Sequence, residues 1–383
     1  MVPSDAELEA LRLVGDPLAD DVVGALFRKG EIRRVNELMR ALVENGAPVP
    51  AGLPEEVRDY LARDPLPADV DRARIERSER FFQVWGMQIS MSLFCASLPS
   101  AYAAAKGVKV LFETARLQTD TRRRIFETGQ FLMDVMAPGG LGPGGAGVRS
   151  AQRVRLMHAA VRHLLLADGN WDEAKWGLPI NQEDLAGTLL SFSYVPIEPL
   201  ARLGIAVSRS EQEDYLYTWS VIGEMLGVRT HVRPTTVEDA TALVTAIRRR
   251  QYDSSPEGIA MTDALVTTME QMTPHLGSRP GRPAHVRGLG RLVPVMIRHL
   301  IGDDVANMVA VPPGRPGWFR LLEPLLGLLR LVESDIEHDA HVKRMIEPFA
   351  RAVLLGMFDH ERGGTRPPFA IPDELARTWE LSS

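Results

Sequence analysis

His158 stands in the run Arg155-Leu156-Met157-His158-Ala159-Ala160-Val161-Arg162. At about 100° per helical residue, Val154, Val161 and Leu165 fall on one side of it, and Arg155 and Arg162 on the other. The ring therefore sits at the edge of an apolar face, between two cations. Two chemistries fit that position. One is a core histidine hydrogen-bonded to a neighbour; the other is a ligand for a metal or a haem iron, whose propionates attract arginines. The pattern leaves both open. His163 points away from this face, toward the surface. Upstream, Arg124, Glu127 and Thr128 are spaced three and four apart and share a helical face. They form either a solvated ion pair, worth about 0.2–0.5 kcal/mol, or a polar trio facing a pocket walled by Phe131 and Leu132.

Other chemistries are less well supplied. Pro138 to Gly147 holds six glycines and two prolines, but it lacks the Lys-Ser/Thr ending and the preceding strand of a phosphate loop. Glu337, His338 and His341 cluster on an expected helix, one residue short of zincin spacing, and read as a solvated group. No pair of Glu-x-x-His motifs is present for a di-iron site. The single cysteine, Cys95, allows no intrachain disulfide and no Cys-rich zinc site. It also lies far from the C-terminal third and lacks the Gly/Arg-rich loop of a thiolate-ligated haem, and reads as a small core residue. With 44 Lys+Arg against 50 Asp+Glu, the net charge is −6. That balance, without a long basic run, speaks against nucleic acid as a partner.

These groups need a scaffold, and the periodicity for it is helical almost throughout. Helices are expected over 5–15, 20–28, 32–45, 54–62 and 75–94, the last closed at Ser97-Leu98-Pro99-Ser100. Further helices are expected over 101–114, 119–136, 150–167, 181–193, 195–203, 210–226 and 235–250, then over 256–274, 286–300, 316–333, 337–357 and 372–380. Asp120, Asn181, Ser210 and Thr235 are the expected N-caps. A second loop, basic and proline-rich, spans Gly277 to Arg287. The fold class is all-α. The 383 residues are expected to form one large helical domain over 1–383, with a core over about 64–250 and a C-terminal helical cap over 251–383. No stretch reaches the ~18–20 uninterrupted apolar residues of a membrane span. The first residues carry acids where a secretory signal needs bases, so the expectation is a cytoplasmic protein.

Several of these pieces occur in a distinctive order. Arg124-x-x-x-Thr128 precedes Arg155-x-x-His158-x-x-x-Arg162, with the Gly-rich loop between them. Gly177-Leu178-Pro179-Ile180-Asn181-Gln182-Glu183-Asp184-Leu185-Ala186 follows, then Leu203-Gly204. After these come Trp219-x-x-x-Gly223-x-x-Leu226-Gly227 and Pro234. The set resembles the family of latex-clearing proteins (rubber oxygenases) and MpaB-type haem b oxygenases, over about Asp64 to Arg250. The resemblance implies a globin-like helical core around haem b, with His158 as the proximal iron ligand. It places Arg124 and Thr128 in the distal pocket, and leaves the face opposite His158 free for dioxygen or peroxide. Arg155 and Arg162 are then candidates to pair with the propionates. Rubber-cleaving members carry a lysine beside the distal threonine, where this chain has Glu127. A carboxylate there is suited to act as a general base or to relay protons. Phe192, Trp219 and Met157 are candidate wall residues. The function implied is a haem-dependent oxygenase acting on a small hydrophobic substrate such as an isoprenoid, a lipid or a specialised metabolite. The alternatives are a peroxidase-like haem enzyme and a non-catalytic haem sensor or carrier.

Overall fold

The computed structural model describes residues 3–30, 45, 48–49, 52–117, 121–203, 205–272 and 292–313. Among them the chain is helical, with no strand and one isolated bridge between Ala104 and Tyr252. The expected helices at 316–333, 337–357 and 372–380, the His338/His341 cluster and the 277–287 loop lie outside the described residues, as does the body of the helix expected at 32–45.

The first elements are α1 (Asp5–Leu11), α2 (Pro17–Lys29), α3 (Glu55–Ala62) and α4 (Arg72–Ser92). α2 starts with Pro17 in its first turn and ends on Gly30 in the left-handed region, so each end of the sequence supplies its own stop signal. Residues 97–100 do not terminate α4 as the sequence suggests. A π-helical turn, Leu93–Ser97, carries the chain into α5 (Leu98–Tyr102). The Leu98 N–H reaches back to the Leu93 carbonyl, and Pro99, which has no N–H to place, enters the next helix at its start. The resulting run, Arg72–Tyr102, is long and apolar enough by length and composition to cross a bilayer, contrary to expectation. Yet 72% of its most apolar window is buried inside the protein, as in the core helix of a folded domain.

α6 (Val108–Leu117), α7 (Thr121–Met136) and α8 (Gly147–Ala167) follow. A short turn of helix, α9 (Glu173–Trp176), leads to α10 (Gln182–Ser193), and a 3-10 segment, Glu198–Leu203, to α11 (Arg209–Met225). Asn181 caps α10 as expected, its side chain accepting from the Asp184 N–H. For α11 the cap is Ser208, not Ser210, because Ser208 forms a reciprocal capping box with Glu211. For α12 (Val237–Gln251) it is Thr236, not Thr235. α13 (Pro256–Met272), α14 (Val293–Ile301) and α15 (Asp303–Met308) complete the described elements.

One apolar cluster runs from Leu8 to Val311 and takes side chains from α4, α7, α8, α10, α11, α12, α13 and α14. A second cluster joins α2 and α3 to Leu156, Ala159 and Ala160 of α8. α8 is therefore packed from two sides, which fixes both its position and its rotation.

Candidate active site in the hairpin of two core helices

The Gly-rich loop joins α7 to α8 as a compact turn. Gly145 packs so closely on Gly139 and Gly140 that a Cβ there would meet their carbonyl oxygens at 2.4 Å. Asn45 fastens the loop, donating to the Gly140 and Gly142 carbonyls at 2.8 Å and accepting from the Arg149 N–H at 3.1 Å. The loop is a structural turn whose carbonyls are taken by the protein. At the base of the hairpin, Ser150 Oγ donates to Asp134 Oδ2 at 2.9 Å. That bond sets the register. At 1.5 Å rise per residue, Glu127 on α7 and Met157–His158 on α8 each lie about 10–12 Å along the hairpin from it, and so at the same level.

His158 is half-buried and makes no hydrogen bond among the described residues; its Nδ1 is sealed from solvent without a partner. Burial pushes its pKa down to about 4, the Arg162 cation acts in the same direction, and Asp16 opposes them. The ring is thus a neutral imidazole at ordinary pH, with neither its N–H nor its basic nitrogen in a hydrogen bond to the described residues. A histidine serving only the core would be expected to use them, since buried polar atoms are normally paired.

The flanking arginines are held by the chain itself. Arg155 grips Asp16 with two bonds, Nε to Oδ2 at 2.5 Å and a terminal nitrogen to Oδ1 at 2.7 Å, and its remaining nitrogen reaches the Met225 carbonyl at 3.5 Å. Burial opposes its charge, but Asp16, with Tyr60 and Asp20, outweighs burial and the guanidinium pKa is raised. Arg162 pairs with Asp20 and donates to the Pro179 and Ile180 carbonyls at 2.9 and 2.8 Å. In this arrangement every nitrogen of both side chains has a protein acceptor, so the pair clamps α2 and the 177–180 loop onto α8. Gly227 lies against this clamp at φ +81°, where a Cβ would sit 2.5 Å from Asp16 Oδ2. His163 is not a free surface residue; it stacks on Phe27 with ring centroids 5.1 Å apart and closes over Gly24.

On α7, Glu127 is 8% exposed and Thr128 is exposed, the 100° step between neighbours separating them. Arg124 lies on the same helix, one turn before Thr128, but its side chain is outside the described ones. Phe192 stacks on Trp219 at 5.1 Å and 23°, and Phe131 meets Trp219 edge-on at 6.4 Å. Trp219 is fully buried, whereas Met157 is half-buried beside His158.

The Asn181–Asp184 segment is scaffold. Gln182 donates to the Gly15 and Gly227 carbonyls and accepts from the Arg229 N–H. Glu183 takes bonds from Arg12, Arg250 and Gln251 at 3.1, 2.8 and 2.7 Å, and Arg12 also holds Asp184 at 3.0 Å. Sequence reasoning missed Asp16, Asp20, Arg12 and Asn45. The one available signal was Asp16 and Asp20 at the start of α2, two acids one helical turn apart that match two arginines two turns apart.

Residues 79–332 match the family model described as ER-bound oxygenase mpaB/B'/Rubber oxygenase, catalytic domain. The chain is 27% identical over 302 residues to a rubber oxygenase of Streptomyces sp. (strain K30), covering 78% of this chain and 71% of that one. Its fold is similar to a structure of latex clearing protein LCP in the closed state. The TM-score is 0.73 and the identity 24%, over 97% of this chain and 91% of that one.

Proposed function

Because the chain belongs to the family of MpaB and rubber oxygenase catalytic domains, we propose that it is a haem b-dependent oxygenase acting on a hydrophobic, isoprenoid- or polyisoprene-like substrate. The observation that carries this reading is His158, a neutral imidazole with no protein hydrogen bond, level with Glu127 in the α7–α8 hairpin. Its donor chemistry fits a haem iron. Haem held there by His158 would supply an iron able to activate dioxygen or peroxide.

The chain's own residues do the rest. The Asp16–Arg155 and Asp20–Arg162 pairs fix the rotation of α8, and with it the direction of the imidazole. They also tie α8 to α2, so the ligand stands on a braced helix rather than on a loop. Glu127, buried on the facing helix, takes and returns a proton during oxidation of the substrate. At position 127 the chain offers a carboxylate and not an amine, so this side chain would serve a bound haem as a proton acceptor and not as a cationic donor. Trp219, Phe192 and Phe131 keep water from that side of the helices.

Absorption spectra of protein expressed with added haem test the reading. A Soret band is expected, lost in His158→Ala, together with oxygen consumption when a terpenoid or oligoisoprene is added. A colourless, iron-free wild-type protein would sink the proposal. Consumption of peroxide but not dioxygen would move it to a peroxidase-like enzyme, and a Soret band without turnover of either would move it to a haem carrier.

A further inference from the structure

The two ring nitrogens of His158 meet unlike surroundings. Nδ1 is sealed from solvent and has no hydrogen-bond partner, whereas Nε2 is neither sealed nor bonded to a described residue. A metal needs clear space about 2 Å from the nitrogen that binds it, and Nε2 is the nitrogen that has access. The neutral ring then carries its one proton on Nδ1, where the N–H meets no acceptor. Histidine ligands ordinarily donate this N–H to a carboxylate, a backbone carbonyl or water, which raises the basicity of the ligating nitrogen. The two acids that α2 brings against α8 are engaged elsewhere. Asp16 takes Arg155 on both oxygens, at 2.5 and 2.7 Å. Asp20 takes Arg162 on Oδ1, and its Oδ2 accepts from the Asp16 N–H at 3.0 Å. Arg155 and Arg162 stand three residues before and four after His158, spacings that make side chains neighbours on a helix. The charges of Arg162 and Asp16 both act on the ring, in opposite directions.

We infer that Arg155 and Arg162 set the reduction potential of an iron held by His158, by leaving the ligand no acidic acceptor and no uncompensated negative charge from α2. The inference rests on the reading of His158 as the iron ligand. An imidazole whose N–H has no acceptor is a weaker electron donor than one hydrogen-bonded to a carboxylate. A ferric centre carries one more positive charge than a ferrous one, so it gains less from such a ligand, and the potential rises. The ferrous state, which takes up dioxygen, is then favoured over the ferric state, which reacts with peroxide. A free carboxylate beside the ring would act the other way. The two arginines are positioning residues in this scheme: they act through Asp16 and Asp20, without touching the iron or the substrate.

Redox titration of the haem-loaded protein, followed by the Soret band, reads the potential without turnover. Arg155→Gln leaves Asp16 uncompensated, and Arg162→Gln does the same for Asp20. Each should shift the ferric-to-ferrous ratio at a fixed applied potential roughly tenfold toward ferric, the effect of a unit charge about 10 Å away. That is a fall of about 59 mV in the midpoint of a one-electron couple. The double variant Asp16→Asn with Arg155→Gln removes both charges and should return the midpoint to that of wild type, which a loss of packing alone would not do. Arg209→Gln, in an exposed pair on α11, should leave it unmoved. The iron–histidine stretch in the resonance Raman spectrum of the ferrous wild-type protein needs no variant to fold. It should lie no higher than that of myoglobin. A frequency as high as that of a peroxidase whose ligand histidine donates to a carboxylate overturns the inference. So do unshifted midpoints in both single variants, or a double variant that stays shifted. Protein without a Soret band, or one whose Soret band survives His158→Ala, overturns the iron-ligand reading itself.

Discussion

A histidine that stays neutral down to about pH 4 leaves a mark on stability as well as on ligation. The folded ring has its pKa lowered from the ordinary 6.5 to about 4. Between those values the unfolded chain binds a proton that the folded chain does not, so stability rises with pH through that window and is lost as pH falls toward 4. Urea unfolding of the haem-free protein should therefore show a midpoint that drops from pH 7 to pH 4.5. The drop should be shallower in His158→Gln; an equal slope in the two proteins would contradict the burial of the ring. At the same scale, Glu127→Gln should leave the Soret band intact and lower turnover by about 10²–10⁴-fold, the range of a positioned acid–base group. Steady-state oxygen consumption beside the absorption spectrum checks it. The chain's departure from lysine at this position was legible in the sequence. Its burial was not, because residues 127 and 128 have the same polarity pattern and only the packing of α7 says which one faces inward.

Helices α2 and α8 show how elements hold a residue in place. Asp16 at the N-cap position of α2 and Asp20 in its first turn grip two arginines of α8; Arg162 is buried, Arg155 half-buried, and each of their nitrogens has a protein acceptor. Removing one member of such a pair leaves a buried charge uncompensated, at a cost of about 3–5 kcal/mol, whereas replacing both with apolar residues is often nearly neutral. Arg155→Met and Asp16→Leu should each lower stability and haem retention together, and the double variant should recover most of the stability. Chemical denaturation with haem titration reads both quantities. Gly227→Ala presses on the same pair from the neighbouring loop, at a φ that disfavours a side chain. A loss of about 1–3 kcal/mol is expected, measured by the same denaturation. Arginines beside a ligand histidine suggest propionate partners in a sequence, because the acids that neutralise them lie about 140 residues away. Helix existence was legible nearly everywhere, since the 3.6-residue apolar stripe is a local property. The π turn at Leu93–Ser97 was not, because Pro99 reads as a stop until the wider turn is seen to remove the need for its N–H.

Across the whole molecule, the buried network of Arg12, Glu183, Asp184, Arg250 and Gln251 ties α1, α10 and α12 together. Glu183→Gln removes the central charge and leaves two arginines facing fewer acids, so a destabilisation of about 3–5 kcal/mol is expected. Thermal unfolding, compared with the exposed pair variant Glu238→Gln, separates this from a general effect of surface charge. The sequence by itself determined the all-α class, the family and the candidate ligand His158, because helical periodicity, turn chemistry and motif order are written along the chain. Tertiary structure decided that the Asn181–Asp184 motif joins a buried network, that Arg155 and Arg162 pair with Asp16 and Asp20, and that Glu127 is buried. The physical reason is that burial and charge pairing are relations between residues distant in the chain. One residue's donors are assigned only when folding brings their acceptors within hydrogen-bond distance.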